Sequence, residues 1–165
     1  MKQLQFAVKL ETGIHRELKN LSTKGPPELI SVTGGFVEAH AKLALMLNNI
    51  SYDDLVKGKY QASELGQIMA TDEEWRRQLA AFRVGPENSV DYLTALWTIH
   101  IWLDRSAQYY QQAARNSEYP SLRLFFENLA QLKQILKRRA DSLLRTAYNA
   151  VWEEVGFAPF LLGKS

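Results

Sequence analysis

Residues 90–116 read VDYLTALWTIHIWLDRSAQYYQQAARN, and their spacing decides the fold. Tyr92, Leu96, Ile99, Leu103, Ala107, Tyr110 and Ala114 recur at steps of three and four, which places them on one face of a single long helix. Trp97, Ile101, Trp102 and Tyr109 fall outside that face. A helix that is apolar on more than one side has to be covered on more than one side, so this segment belongs inside a helical assembly.

The neighbouring segments supply the cover. Pro120 opens a further helix, since proline is tolerated in a first turn, and Leu122, Phe125, Leu129, Leu132, Leu136, Ala140, Leu143 and Ala147 form its inward stripe. Near the start of the chain Leu4, Ala7, Leu10, Ile14, Leu18 and Leu21 mark another helix, stopped by Ser22-Thr23-Lys24-Gly25-Pro26-Pro27. The next stripe is Leu29, Val32, Phe36, His40, Leu43, Leu47 and Ile50. It is interrupted by Gly34-Gly35, which weakens a helix unless a neighbouring backbone uses the space. Between residues 51 and 89 the pattern is less regular. Ser51-Tyr52-Asp53-Asp54 and Thr71-Asp72-Glu73-Glu74 each read as a helix start, the second with capping-box spacing, and Gly85-Pro86-Glu87-Asn88-Ser89 closes the region. No run alternates as a strand would.

The expectation is an all-α chain, residues 1–165 as one domain, with long helices at about 2–21, 27–50, 90–117 and 120–148. The crossover, 51–89, carries short extra helices. A four-helix bundle with one long crossover is the ferritin-like arrangement.

Composition narrows the function. With 46% hydrophobic and 23% charged residues the chain is ordinary for a globular protein. The absence of cysteine excludes disulfides, thiol catalysis, iron–sulfur ligation and any cysteine-bearing zinc site. A net charge of +2 gives no reason to expect a nucleic-acid partner. Met1 to Phe6 lead into amphipathic helix without an apolar leader, and no stretch reaches membrane-spanning length, so a cytoplasmic protein without a membrane partner is expected. Nothing resembles a phosphate loop, a nucleophile elbow or a Ser-His-Asp arrangement.

Tyr109-Tyr110-Gln111-Gln112-Ala113-Ala114, then Tyr119-Pro120, then Leu124-Phe125-Phe126-Glu127-Asn128-Leu129-Ala130, resembles the second hairpin of rubrerythrin-like members of the ferritin-like superfamily. Leu10-Glu11, the Pro26-Pro27 loop and His40 form a fainter copy in the first half. In that family each hairpin gives one Glu from its first helix and a Glu-x-x-His from its second, and together these hold two irons. Carried onto this chain residue by residue, the resemblance leaves two of six ligands, Glu11 and His40. Val37, Leu103, Lys133 and Leu136 stand at the other four positions. The nearby carboxylates Glu38 and Asp104 lie off the inward stripes.

Glu11 sits among Ala7, Ile14 and Leu18, where a charge is costly without a partner. Lys133 falls between Leu129 and Leu136 in the inward sector. One reading pairs the Lys133 ammonium with Glu11, with His40 alongside, so that the lysine replaces the metal charge. The other lets Lys133 snorkel to solvent and leaves His40 a neutral core histidine. Glu11, His15 and His40 form an alternative single-metal set. His100 is expected to be structural, the aromatics of the third long helix to be packing, and Lys133, Lys137, Arg138, Arg139 and Arg145 to make a solvated basic face suited to a helix C-terminal half.

Three functions follow. The first is a non-enzymatic ferritin-like protein without di-iron chemistry or cofactor, a binding or scaffold module dimerising through the second apolar face of the 90–117 helix and the tail Phe157 to Leu162. The alternative is a rubrerythrin-like oxidoreductase holding iron or another divalent metal at a reduced site. The third is a carrier of a small apolar ligand in the space the irons would occupy.

Overall fold

The structure is a computed structural model that describes residues 2–25, 27–60, 63–85, 89–154 and 156. The described residues are all-helical, with no strand among them. The elements are α1 (Lys2–Lys24), α2 (Pro27–Asn49), α3 (Tyr52–Val56), α4 (Ser63–Gly66), α5 (Asp72–Ala81), α6 (Ser89–Arg115) and α7 (Pro120–Glu154).

Two helices outrun the expected bounds. α1 continues to Lys24 because Ser22 acts as a partner for the next helix: its hydroxyl lies 2.6 Å from that of Thr33 on α2, and both are buried. α7 runs to Glu154, and on the way its Tyr148 hydroxyl accepts a hydrogen bond from the Trp97 indole of α6. The expected tail contact at Phe157 to Leu162 lies outside the described residues.

α6 and α7 pack closely and run antiparallel. Trp97 meets Tyr148, His100 meets Asp141 at 2.5 Å, Asp104 meets Lys137 at 3.0 Å, and the Tyr110 ring stacks on Phe126. Each step forward along α6 is a step back along α7. α1 and α2 form the other close antiparallel pair, with Ser22 against Thr33 at one end.

The crossover follows α7 in the same direction. Gly58, in the left-handed region at φ 72°, ends α3 beside Ser121, a conformation that glycine adopts without a Cβ penalty. Tyr60 packs edge-on against Phe125 and accepts a hydrogen bond from Asn128, and Trp75 of α5 lies over the Arg139 guanidinium at 5.4 Å. Phe82 then packs against Tyr92 at the start of α6. α3 and α5 are capped as their sequences suggest: Ser51 accepts from the Asp54 amide and Thr71 from that of Glu74.

One hydrophobic core joins α1, α2, α6 and α7, with Leu55, Leu65, Ile68 and Phe82 added by the crossover. α5 contributes no buried residue and lies on this core through the half-buried Trp75 and Leu79. Gly35 of α2 faces Gln78 of α5, and no neighbouring backbone uses the space at either Gly34 or Gly35. A Cβ on Gly34 would meet nothing within 4 Å, and one on Gly35 only Gln78 Oε1 at 3.8 Å. Among the described residues no helix is long and apolar enough to cross a membrane.

Candidate functional site

Four long helices each send one polar side chain into the centre. Glu11 comes from α1, His40 from α2, Tyr110 from α6 and Lys133 from α7, and all four are 0% exposed. Each belongs to an apolar stripe spaced at three and four, so the periodicity that builds the core also brings them together.

The Lys133 ammonium lies 2.8 Å from Glu11 Oε2 and 2.8 Å from His40 Nε2. The Tyr110 hydroxyl donates to the other carboxylate oxygen, Glu11 Oε1, at 2.6 Å. His40 Nδ1 is 2.7 Å from the Phe36 carbonyl, one turn back on α2. These contacts fix the imidazole tautomer. A carbonyl only accepts and an ammonium only donates, so Nδ1 carries the proton and Nε2 offers its lone pair to Lys133.

Burial pushes His40 well below its ordinary value of 6.5, and the neighbouring Lys133 charge adds to the shift; the Phe36 carbonyl opposes it. The imidazole is therefore neutral. Burial also lowers Lys133, while the Glu11 carboxylate pulls it back up. Tyr110 is raised well above its ordinary value by burial and then by the Glu11 charge, so its phenol keeps the proton it donates. Among the described residues the one buried side-chain polar atom without a hydrogen-bond partner is Asn149 Oδ1, outside the cluster. The cluster is thus closed, as a buried charge requires.

The sequence candidates fall into two groups. Glu11, His40 and Lys133 are in direct contact, which excludes the snorkelling alternative for Lys133. Leu103 and Leu136 are buried, while Val37 is only partly buried against the core. Glu38 is exposed and pairs with Lys42 at 3.1 Å, and Asp104 pairs with Lys137, so neither carboxylate reaches the centre. His15 stands half-buried at the edge of α1. The proposed Glu11, His15 and His40 set does not assemble: among the described residues no three His, Asp or Glu side chains are grouped to hold a metal ion. The physical reason is Lys133, whose ammonium occupies the place between Glu11 and His40.

His100 has partners that bind α6 to α7, the Asp141 carboxylate and the edge of Trp97. The basic face of α7 divides. Arg138 and Arg145 are exposed, whereas Lys133 and Arg139 are buried, so the expectation of one solvated basic surface is corrected. Two residues escaped the sequence reading. Tyr110 was placed on the stripe without its hydroxyl being given a partner, although a buried tyrosine usually needs one. Arg139 stands three residues after Leu136 and four before Leu143, a spacing that already put it in the inward sector.

No protein-family model, no curated protein and no solved structure matches the chain.

Proposed function

We propose that the chain is a ferritin-like four-helix bundle of rubrerythrin-like plan in which a lysine ammonium takes the place of the metal charge. The two antiparallel helix pairs and the long crossover along α7 support the topology. The observation that carries the reading is the Lys133 ammonium, 2.8 Å from both Glu11 and His40, with all three side chains fully buried. A metal ion at that point would have to displace a cation that already neutralises the carboxylate.

The same burial argues against catalysis. A general acid, base or nucleophile has to come within hydrogen-bond reach of its substrate, and these four side chains are 0% exposed. We therefore read the protein as a non-enzymatic binding or scaffold module that works without a cofactor in the cytoplasm. Its self-association surface is the outer face of α6, where Val90, Trp97 and Ile101 are exposed at seven- and four-residue steps.

Elemental analysis of the purified chain, expressed in medium supplemented with iron, manganese and zinc, tests the central claim. Substoichiometric metal, unchanged in Glu11→Ala, is the expected result. Stoichiometric metal that disappears in Glu11→Ala would overturn it. Sedimentation equilibrium at micromolar concentration tests the dimer, which Ile101→Lys is expected to dissociate; a monomeric wild type removes that part of the reading.

A further inference from the structure

The outer face of α6 carries more than its exposed apolar residues. Thr94 and Thr98 lie on it between Val90 and Ile101, and both turn their hydroxyls back onto their own helix. Thr94 Oγ1 donates to the Val90 carbonyl at 3.0 Å and Thr98 Oγ1 to the Thr94 carbonyl at 2.8 Å. A hydroxyl bonded to its own helix asks nothing of a partner, so both threonines can be covered without water beside Trp97 and Ile101. The Trp97 indole is satisfied in the same way, by the Tyr148 hydroxyl.

Opposite charges stand at the two ends of this stretch. Asp91 lies in the first turn of α6 and Arg105 fourteen residues further on, and both are exposed. Fourteen residues are two heptads, so the two side chains share the face, with about 21 Å between them along the axis. That separation exceeds the screening length of about 8 Å at physiological salt, so they do not neutralise each other within one chain. Neither has an ion-pair partner among the described residues. Neighbouring carboxylates do have one: Asp104 holds Lys137, and Asp141 holds His100. Thr98 stands midway, seven residues from Asp91 and seven from Arg105.

We infer that α6 is the seam of a two-fold antiparallel dimer, in which Asp91 of each copy faces Arg105 of the other about an axis near Thr98. The inference rests on the self-association surface proposed above and adds the orientation and register of the second copy. In a two-fold interface, if one residue meets another then the second meets the first, which charges placed evenly about the centre satisfy. A parallel alignment sets Asp91 on Asp91 and Arg105 on Arg105, and like-charge repulsion opposes it. An unrelated partner gives no reason for opposite charges at equal distances from the middle of the apolar stretch. Lying at the rim, the two pairs select orientation and register, while Trp97 and Ile101 at the centre supply most of the affinity.

Sedimentation equilibrium of the full chain tests this through the dimer dissociation constant. Asp91→Arg makes both pairs repulsive and should weaken the dimer about tenfold, and Arg105→Asp should do the same. A mixture of these two single variants should form a heterodimer about tenfold tighter than either homodimer. The double change, Asp91→Arg with Arg105→Asp, should return to within about threefold of wild type. At about 1 M salt the Asp91→Arg deficit should disappear. In a parallel dimer Asp91→Arg only exchanges one like-charged pair for another and leaves the constant unchanged. If Asp91 serves only the dipole at the start of α6, its reversal lowers stability without changing association. A monomeric wild type overturns the inference together with the self-association it rests on. A dimer that Ile101→Lys dissociates but Asp91→Arg leaves intact, or that the double change does not restore, overturns the antiparallel pairing alone. Arg105→Asp and its salt dependence keep the pairing testable if Asp91→Arg fails to fold.

Discussion

Lys133 and Arg139 stand less than two turns apart on α7, and both are cations turned into the protein. Lys133 meets Glu11 and His40, each within 2.8 Å and each fully buried, and Tyr110 occupies the remaining oxygen of Glu11. Arg139 meets one carboxylate at 3.3 Å that is itself mostly in water. The lysine is held by a closed network of buried partners; the arginine is paired with a carboxylate that lies mostly in water and is covered by the ring of Trp75. Burial alone therefore does not say how strongly a charge is held. The partners do.

Removing each cation separately is the strongest way to break this comparison. Lys133→Met leaves the Glu11 carboxylate buried with only the Tyr110 hydroxyl, and loss of one member of a buried pair costs about 3–5 kcal/mol. Since whole domains are stable by about 5–15 kcal/mol, this variant is expected to stand near unfolding. Arg139→Met keeps the apolar contacts of the stem and frees a solvated aspartate, so its loss should stay within about 1 kcal/mol. Urea denaturation of the two variants measures the difference directly. Equal losses would erase the distinction drawn between the two sites.

Acid titration sharpens the same contrast. His40 is held neutral in the folded chain, its value depressed by burial and by Lys133. Around it are Lys133 from α7, Glu11 and the half-buried His15 from α1, and Tyr110 from α6 by way of Glu11. The unfolded chain binds a proton at this residue near its ordinary value of 6.5, and the folded chain does not. Stability therefore falls as pH drops below that value, by about 1.4 kcal/mol per pH unit from this residue, until the depressed folded value is reached. Urea midpoints at pH 7 and pH 5 should differ accordingly, and His40→Gln should flatten the slope. A slope unchanged in His40→Gln would assign the acid sensitivity elsewhere.

Much of the fold was legible because it rests on period. The stripes of α1, α2, α6 and α7 each repeat over several turns, and a three- and four-residue spacing has one physical reading at that length. The meeting of Glu11, His40 and Lys133 was legible for the same reason, as three polar residues on apolar stripes. What the stripes could not give was partnership across helices. Tyr110 looked like core because its ring is core, and only the structure places its hydroxyl on Glu11. Arg139 looked solvated because its neighbours Arg138 and Arg145 are, and its burial depends on α5, a helix whose position the local sequence does not encode. Gly34-Gly35 carried a signal in plain view, but a missing side chain does not say what lies opposite.

The smallest expected effect probes Asp72, the exposed partner of Arg139. Asp72→Asn removes an exposed partner of Arg139 and one negative charge from the first turn of α5, where it favours the helix dipole. Exposed pairs of this kind contribute about 0.2–1 kcal/mol, so the thermal midpoint should move by a few degrees at most. Salt makes the test decisive. At about 1 M ionic strength the screening length shrinks to roughly 3 Å, and the difference between wild type and Asp72→Asn should vanish. The Lys133→Met deficit should persist under the same conditions, because ions do not enter a cluster that is fully buried. If the Asp72 effect survives high salt, the carboxylate is a firmly held partner of Arg139 rather than a screened one, and the two cations of α7 are more alike than their partners suggest.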